Sequence, residues 1–229
     1  MIVDRFGAIT THTLITKAIA SLRSRASAGR SVTSEQCRGH EPEITYIDNP
    51  RAEYTVYGPE ILLVDFMTVQ ACADLIEFTE KHGNWAPMVG DKFPAQEIRI
   101  RDLSLRLFRE LEVAWKRNID PVLEKYWRPL CMYGLRDAFL VKYTVDTQSS
   151  LALHNDASLV TGSIKLNDAY EGGKLVWPRQ NVTNDDIPTG KLILFPGQVT
   201  HGHSVEELIS GSKYSLTIWT SRFKGDVNY

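Results

Sequence analysis

The sequence predicts an α+β fold, in which helices of the N-terminal half buttress a jelly-roll core of short antiparallel strands. Three observations point there. After Tyr133-Gly134 the chain breaks into short apolar runs separated by Gly, Pro, Asn and Asp, the texture of a sandwich or barrel. Before that point, apolar residues recur at helical spacing. The length of 229 residues suits one sizeable domain with an arm or lid. The expected division is an N-terminal arm or helix over residues 1–55 and one domain over 56–229, with the β core at about 138–223.

Met1–Arg30 lacks the apolar block of a secretory signal, and an amphipathic helix is expected over Thr11–Ser24. Ala26–Pro50 is polar and turn-rich and reads as an arm. Ile61–Phe66 is a short apolar run and reads as a strand. Thr68 is a good N-cap for a helix carrying Ala71, Leu75, Ile76 and Phe78, which Gly83 closes. Asn84–Pro94 reads as a loop, and Glu97–Ile100 alternates like a strand. Leu103–Trp127 is amphipathic, with Leu107, Leu111, Trp115 and Ile119 on one face, and Pro121 divides or kinks it. The strands expected beyond are Ala138–Val145, Leu151–His154, Leu159–Leu166, Lys174–Trp177, Lys191–Phe195, Val199–Val205 and Lys213–Phe223. The arm and the Asn84–Pro94 loop are the long polar stretches available to flank a site at the core's mouth.

A net charge of -2 argues against bulk electrostatic attraction to nucleic acid or membrane, and no apolar run approaches the length of a membrane span. Three cysteines without C-x-x-C spacing favour a reducing, cytoplasmic setting and no thiolate metal site.

The candidate site centres on His154-Asn155-Asp156. On an extended strand His154 and Asp156 project to the same side, and a slight bend lets both reach one ion. A distal histidine, His201 or His203, would complete two imidazoles and one carboxylate, the facial ligand set of non-haem Fe(II) oxygenases. Lys213 opens the apolar run Lys213-Tyr214-Ser215 and is placed to hold the remote carboxylate of a keto-acid cosubstrate. The same ligands also suit zinc on a cupin-like hydrolase, and a binding module that keeps the barrel without the chemistry is a further alternative. Trp177 and Trp219 are read as core.

The stretch Phe139–Phe223 resembles the catalytic domain of the procollagen lysyl hydroxylases, within the prolyl/lysyl hydroxylase branch of the Fe(II)/2-oxoglutarate-dependent oxygenases. The matching pieces are Leu140-Val141-Lys142-Tyr143, His154-Asn155-Asp156-Ala157-Ser158, Leu166-Asn167, Tyr170-Glu171-Gly172-Gly173, Phe195-Pro196-Gly197 and Thr200-His201-Gly202-His203, in the family's order. Trp85 and Phe93-Pro94 to Ile100 match more loosely.

The resemblance implies a double-stranded β-helix binding Fe(II) and 2-oxoglutarate, with O₂ as oxidant and ascorbate as a candidate reductant. It selects His203, with His154 and Asp156, as the metal ligands and catalytic centre, and leaves His201 to a pocket wall. Lys213 stands where lysyl hydroxylases carry an arginine. A lysine gives a point charge and not a fork, so Tyr143 and Ser215 are candidates to complete the cosubstrate site. The activity implied is hydroxylation of an unactivated C–H, in a lysine-like or other amino-acid side chain of a peptide or a free amino acid. The alternative is a small natural-product intermediate.

Overall fold

The structure, a computed structural model, describes residues 41–87, 95–128, 134–223 and 226. The helix expected over Thr11–Ser24, the arm up to His40, and Met88–Pro94 of the loop lie outside the described residues.

In chain order the elements are β1 (Thr55–Gly58), β2 (Ile61–Asp65), α1 (Val69–His82), β3 (Gln96–Arg99), a single turn α2 (Ile100–Leu103), α3 (Leu105–Asn118), α4 (Asp120–Tyr126) and β4 (Leu135–Thr144). Then follow β5 (Leu151–His154), β6 (Val160–Lys165), β7 (Tyr170–Gly172), β8 (Leu175–Trp177), β9 (Val182–Thr183), β10 (Lys191–Pro196), β11 (His203–Val205) and β12 (Leu208–Thr220). The helix ends follow their caps. The Thr68 hydroxyl accepts from the Ala71 N–H to start α1, and Ser104 does the same for Leu107 in α3. Pro121 sits in the first turn of α4, and the break falls at Ile119, just ahead of it. Gly83 ends α1 at φ -83, so it is not there for a left-handed turn; a Cβ would lie 2.3 Å from Ile98 Cδ1.

All strand pairs are antiparallel and form two sheets. The larger runs β1-β2-β10-β6-β12-β4-β3, with β7 on β12, and the smaller runs β5-β11-β8-β9. Alternation along the large sheet divides the core in two. Ala138, Leu140, Leu216 and Ile218 join Leu75, Phe108, Leu111, Trp115 and Leu123 of the helices. Their neighbours Phe139, Val141 and Tyr143 turn to the other face, with Trp177 and Val205 of the small sheet. Both faces are thus covered, which is why β6 is buried at every residue.

The apolar runs located most strands but not their ends. The run expected at Val199–Val205 is a turn followed by a strand that begins at His203. β12 starts at Leu208, so Lys213 lies within a strand and does not open one. The described part of the arm packs away from the small sheet. Ile44 and Ala52 join the helical core, Arg106 binds Glu41 at 2.6 Å, and the Asn118 amide oxygen accepts from the Asn49 N–H at 2.9 Å. No helix among the described residues is long and apolar enough to cross a membrane.

Candidate metal centre and cavity

The strand register builds the site. A cavity of about 320 Å³ lies between the two sheets, floored by alternate residues of the large one. Cross-strand partners form rows: Tyr143 beside Lys213; then Glu97, Val141, Ser215 and Lys165; then Phe139, Thr217 and Ser163; then Trp219, Thr161 and Phe195. Leu175, Val205 and His203 face them from the small sheet. Trp219, expected in the core, therefore lines the cavity and meets Phe139 edge-on at 4.8 Å. Trp177 is fully buried against Phe195, as a core residue should be.

At one end of the cavity His154, Asp156 and His203 come together, with one ligand atom from each lying within 4.8 Å of the others. His154 ends β5 and His203 begins β11, and the two are direct antiparallel partners. Their rings stand 4.4 Å apart. Each ring has its Nδ1 on a backbone carbonyl, His154 on Ala152 O at 2.8 Å and His203 on His201 O at 3.0 Å. With the proton on Nδ1, both Nε2 lone pairs face Asp156, at 3.6 Å from Oδ1 and 3.5 Å from Oδ2. Burial alone would push the Asp156 carboxyl up, but the hydrogen bond and charge that His154 and His203 offer when protonated, and the Thr161 hydroxyl, outweigh it and hold the group below the usual carboxylate range; a bound cation would take the place of that proton. Burial holds the His203 imidazole below its ordinary value, against the pull of Asp156, so its neutral form is favoured. Two neutral imidazoles and one carboxylate, each with a lone pair turned to a common point, fit a divalent transition metal.

His201 is turned elsewhere. Because a turn at residues 199–200 and irregular backbone at 201–202 precede the strand, it does not share His203's strand parity. Its ring is buried between the Thr200 hydroxyl at Nδ1 and Pro59 O at Nε2, both 2.9 Å away.

Lys213 is 2% exposed on the cavity's last row. Its ammonium donates to Gly173 O at 2.6 Å and lies 4.9 Å from the Tyr143 ring centroid. Burial, reinforced by Lys165, pushes the Lys213 amine down to about 7. Lys165 is differently placed, since Asp168 reaches it at 2.5 Å. Tyr143 is buried, and burial followed by the charges of Glu97 and Asp156 pushes its phenol well above the usual range. Ser215 lies one row nearer the histidines. Sequence reasoning missed Thr161, whose hydroxyl donates to Asp156 Oδ2 at 2.7 Å, and Glu97 at the cavity wall. Thr161 could have been found only from its register with Trp219 and Phe195.

Two antiparallel sheets with two histidines and a carboxylate at the mouth of the space between them carry the ligand set of the non-haem iron oxygenases. No family model matches the sequence. Among curated proteins, the chain is similar to procollagen-lysine,2-oxoglutarate 5-dioxygenase 1 of Mus musculus, at 30% identity over 171 residues. That alignment covers 68% of this chain and 23% of the mouse protein. The multifunctional procollagen lysine hydroxylase and glycosyltransferase of Caenorhabditis elegans is 28% identical over 175 residues, covering 69% of this chain and 23% of the relative. The chain thus spans less than a quarter of these relatives' length. Among solved structures, the viral collagen prolyl hydroxylase of Paramecium Bursaria Chlorella virus-1, in its 2OG complex, matches with a TM-score of 0.54 at 16% identity. It covers 71% of this chain and 96% of that one. A Pseudomonas putida prolyl-4-hydroxylase matches with a TM-score of 0.54 at 19% identity, covering 68% and 86%. The resemblance to the prolyl/lysyl hydroxylase branch of the Fe(II)/2-oxoglutarate-dependent oxygenases, drawn from the motifs, is borne out by these relatives.

Proposed function

We propose that the protein is a Fe(II)- and 2-oxoglutarate-dependent dioxygenase with a jelly-roll core, hydroxylating an unactivated C–H of an amino-acid side chain. The observation that carries this is the convergence of His154, Asp156 and His203 on a cavity whose far row holds a buried ammonium. The helices of the N-terminal half act as the buttress of that core, and its domain takes in residues 56–229 together with Ile44 and Ala52, which pack on those helices. The proposed substrate class, a lysine-like side chain in a peptide or a free amino acid, is supported by the relatives' names. Three cysteines without paired spacing support a cytoplasmic setting; the buried Cys72 thiol, which burial pushes up to about 12, is inert at neutral pH.

Each part of the cavity has a task. His154, Asp156 and His203 hold the metal on one face, and their Nδ1 bonds fix both imidazoles before it arrives. Lys213 holds the distal carboxylate of 2-oxoglutarate, with Tyr143 and Ser215 beside it. Phe139, Trp219, Phe195 and Val205 wall the reacting end and exclude water, which strengthens each polar contact inside. With iron and 2-oxoglutarate bound, the metal supplies activation of O₂ for C–H oxidation, and the chain supplies position.

The test is anaerobic addition of Fe(II) and then 2-oxoglutarate, followed by succinate formation in air. A visible charge-transfer band that needs both, and succinate that needs all three of Fe(II), 2-oxoglutarate and O₂, are expected. A protein that binds zinc tightly and produces neither refutes the reading.

A further inference from the structure

The Asp156 carboxylate is nearly fully buried, and its two oxygens do not have equal surroundings. Each oxygen faces one imidazole, Oδ2 lying 3.5 Å from His203 Nε2, but Oδ2 alone accepts a hydrogen bond from the Thr161 hydroxyl, at 2.7 Å. Oδ1 lies 3.6 Å from His154 Nε2, and no hydroxyl or backbone donor among the described residues reaches it. Thr161 itself is 1% exposed and held in the middle of the large sheet, between Phe195 and Trp219. Its hydroxyl has room only because residue 197 is a glycine. A Cβ there would stand 2.8 Å from Thr161 Oγ1 and 2.5 Å from Ser158 O. The same glycine clasps the ligand loop by its backbone. Gly197 O accepts from Asp156 N–H at 2.8 Å, and Gly197 N–H donates to Leu159 O at 3.1 Å. The strand β6, the turn after β10 and the ligand loop are thus joined by these three hydrogen bonds.

We propose that Thr161 is a positioning residue for the carboxylate ligand: its hydroxyl holds Asp156 Oδ2, so that Oδ1 alone is presented to the metal. The inference rests on the iron-site reading above. A carboxylate free to rotate can bind an ion through both oxygens, and the second oxygen would occupy a position that cosubstrate or O₂ needs. A hydroxyl bond to an ionised carboxylate in a dry site is charge-assisted, so it favours the one-oxygen arrangement. The threonine Cβ branch, packed in the sheet, restricts the rotation of that donor.

The experiment compares wild type with Thr161→Val, Thr161→Ser and His154→Ala, using Co(II) and Fe(II) added to metal-free protein without oxygen. Valine keeps the shape and removes the donor; serine keeps the donor. Metal affinity by titration, the Co(II) visible spectrum and the melting temperature of the metal-free protein are read together. In Thr161→Val, metal affinity is expected to change by about 10–100-fold, the range for such supporting bonds. The Co(II) spectrum should shift to a different coordination number, and the KM for 2-oxoglutarate should rise. Thr161→Ser should restore all three. If valine does not fold, Thr161→Ala against Thr161→Ser carries the same comparison. Wild-type metal binding with an unchanged spectrum and affinity in Thr161→Val overturns the inference and leaves the iron site standing. A wild type that takes up no more metal than His154→Ala overturns the site reading, and the inference with it.

Discussion

Replacement of Lys213 tests the cosubstrate end of the cavity. Lys213 is 2% exposed, and among the described residues its ammonium meets the neutral Gly173 carbonyl and the face of Tyr143, with the like charge of Lys165 nearby. The fall of its amine from 10.5 to about 7 is a penalty of about 5 kcal/mol on the charged form. A carboxylate arriving beside the ammonium can recover at most about that much. Removing one member of such a buried pair costs about 2–5 kcal/mol, part of it from leaving the other charge alone. Lys213→Ala should therefore raise the KM for 2-oxoglutarate about 30-fold or more, with Fe(II) affinity nearly unchanged. Lys213→Arg keeps a charge at every working pH and should be milder. Above about pH 7, the wild-type amine must take up a proton to bind the dianion, so its KM should climb with pH while that of Lys213→Arg stays flat. The assay is succinate formation against 2-oxoglutarate concentration for the three proteins from pH 6 to 9. An unchanged KM in Lys213→Ala would assign the carboxylate to another cation, such as Lys165, and refute the role given to Lys213.

The remaining predictions concern the ligands and the scaffold. His203→Ala should lose metal binding, whereas His201→Ala should retain it and lower stability by about 1 kcal/mol or more, since it removes a buried ring and its hydrogen bond to the Pro59 carbonyl; titration with Fe(II) and urea unfolding separate the two. Lys213 also gives stability a pH dependence: its folded value lies below the unfolded one, so between about pH 7 and 10.5 the unfolded chain binds the extra proton. Stability of the cosubstrate-free protein should rise with pH across that window, be insensitive to this group below it, and lose the rise in Lys213→Met. Gly190→Ala should destabilise by about 2 kcal/mol or more, because residue 190 has φ +87 and a Cβ would stand 2.3 Å from Met67 O; a urea midpoint equal to wild type would contradict it.

The sequence by itself determined the class of fold and the chemistry of the site. The helical spacing of α3 and the apolar run of β4 are legible locally, because residues that pack on a core are apolar whatever covers them; β6 shows its apolar face at Val160 and Ile164 and turns Thr161, Ser163 and Lys165 to the cavity. The His154-Asn155-Asp156 pair was legible for the same local reason, as two side chains on one side of an extended segment. Tertiary structure decided what depends on partners distant in the chain. His201 and His203 look alike in sequence, and only the turn and irregular backbone at residues 199–202 separate them, placing His203 opposite His154 and tying His201 to Pro59. Trp219 became a cavity wall because its register sets it beside Thr161 and against Phe139, whereas Trp177 packs against Phe195 and is sealed from the cavity. Thr161 and Gly197 carry no motif that marks them. Their contact with Asp156 exists because antiparallel register sets Thr161 against Phe195, and the turn after β10 then brings a residue without a Cβ against the ligand loop. Local pattern fixes which face a residue shows; only the pairing of distant strands fixes what that face meets.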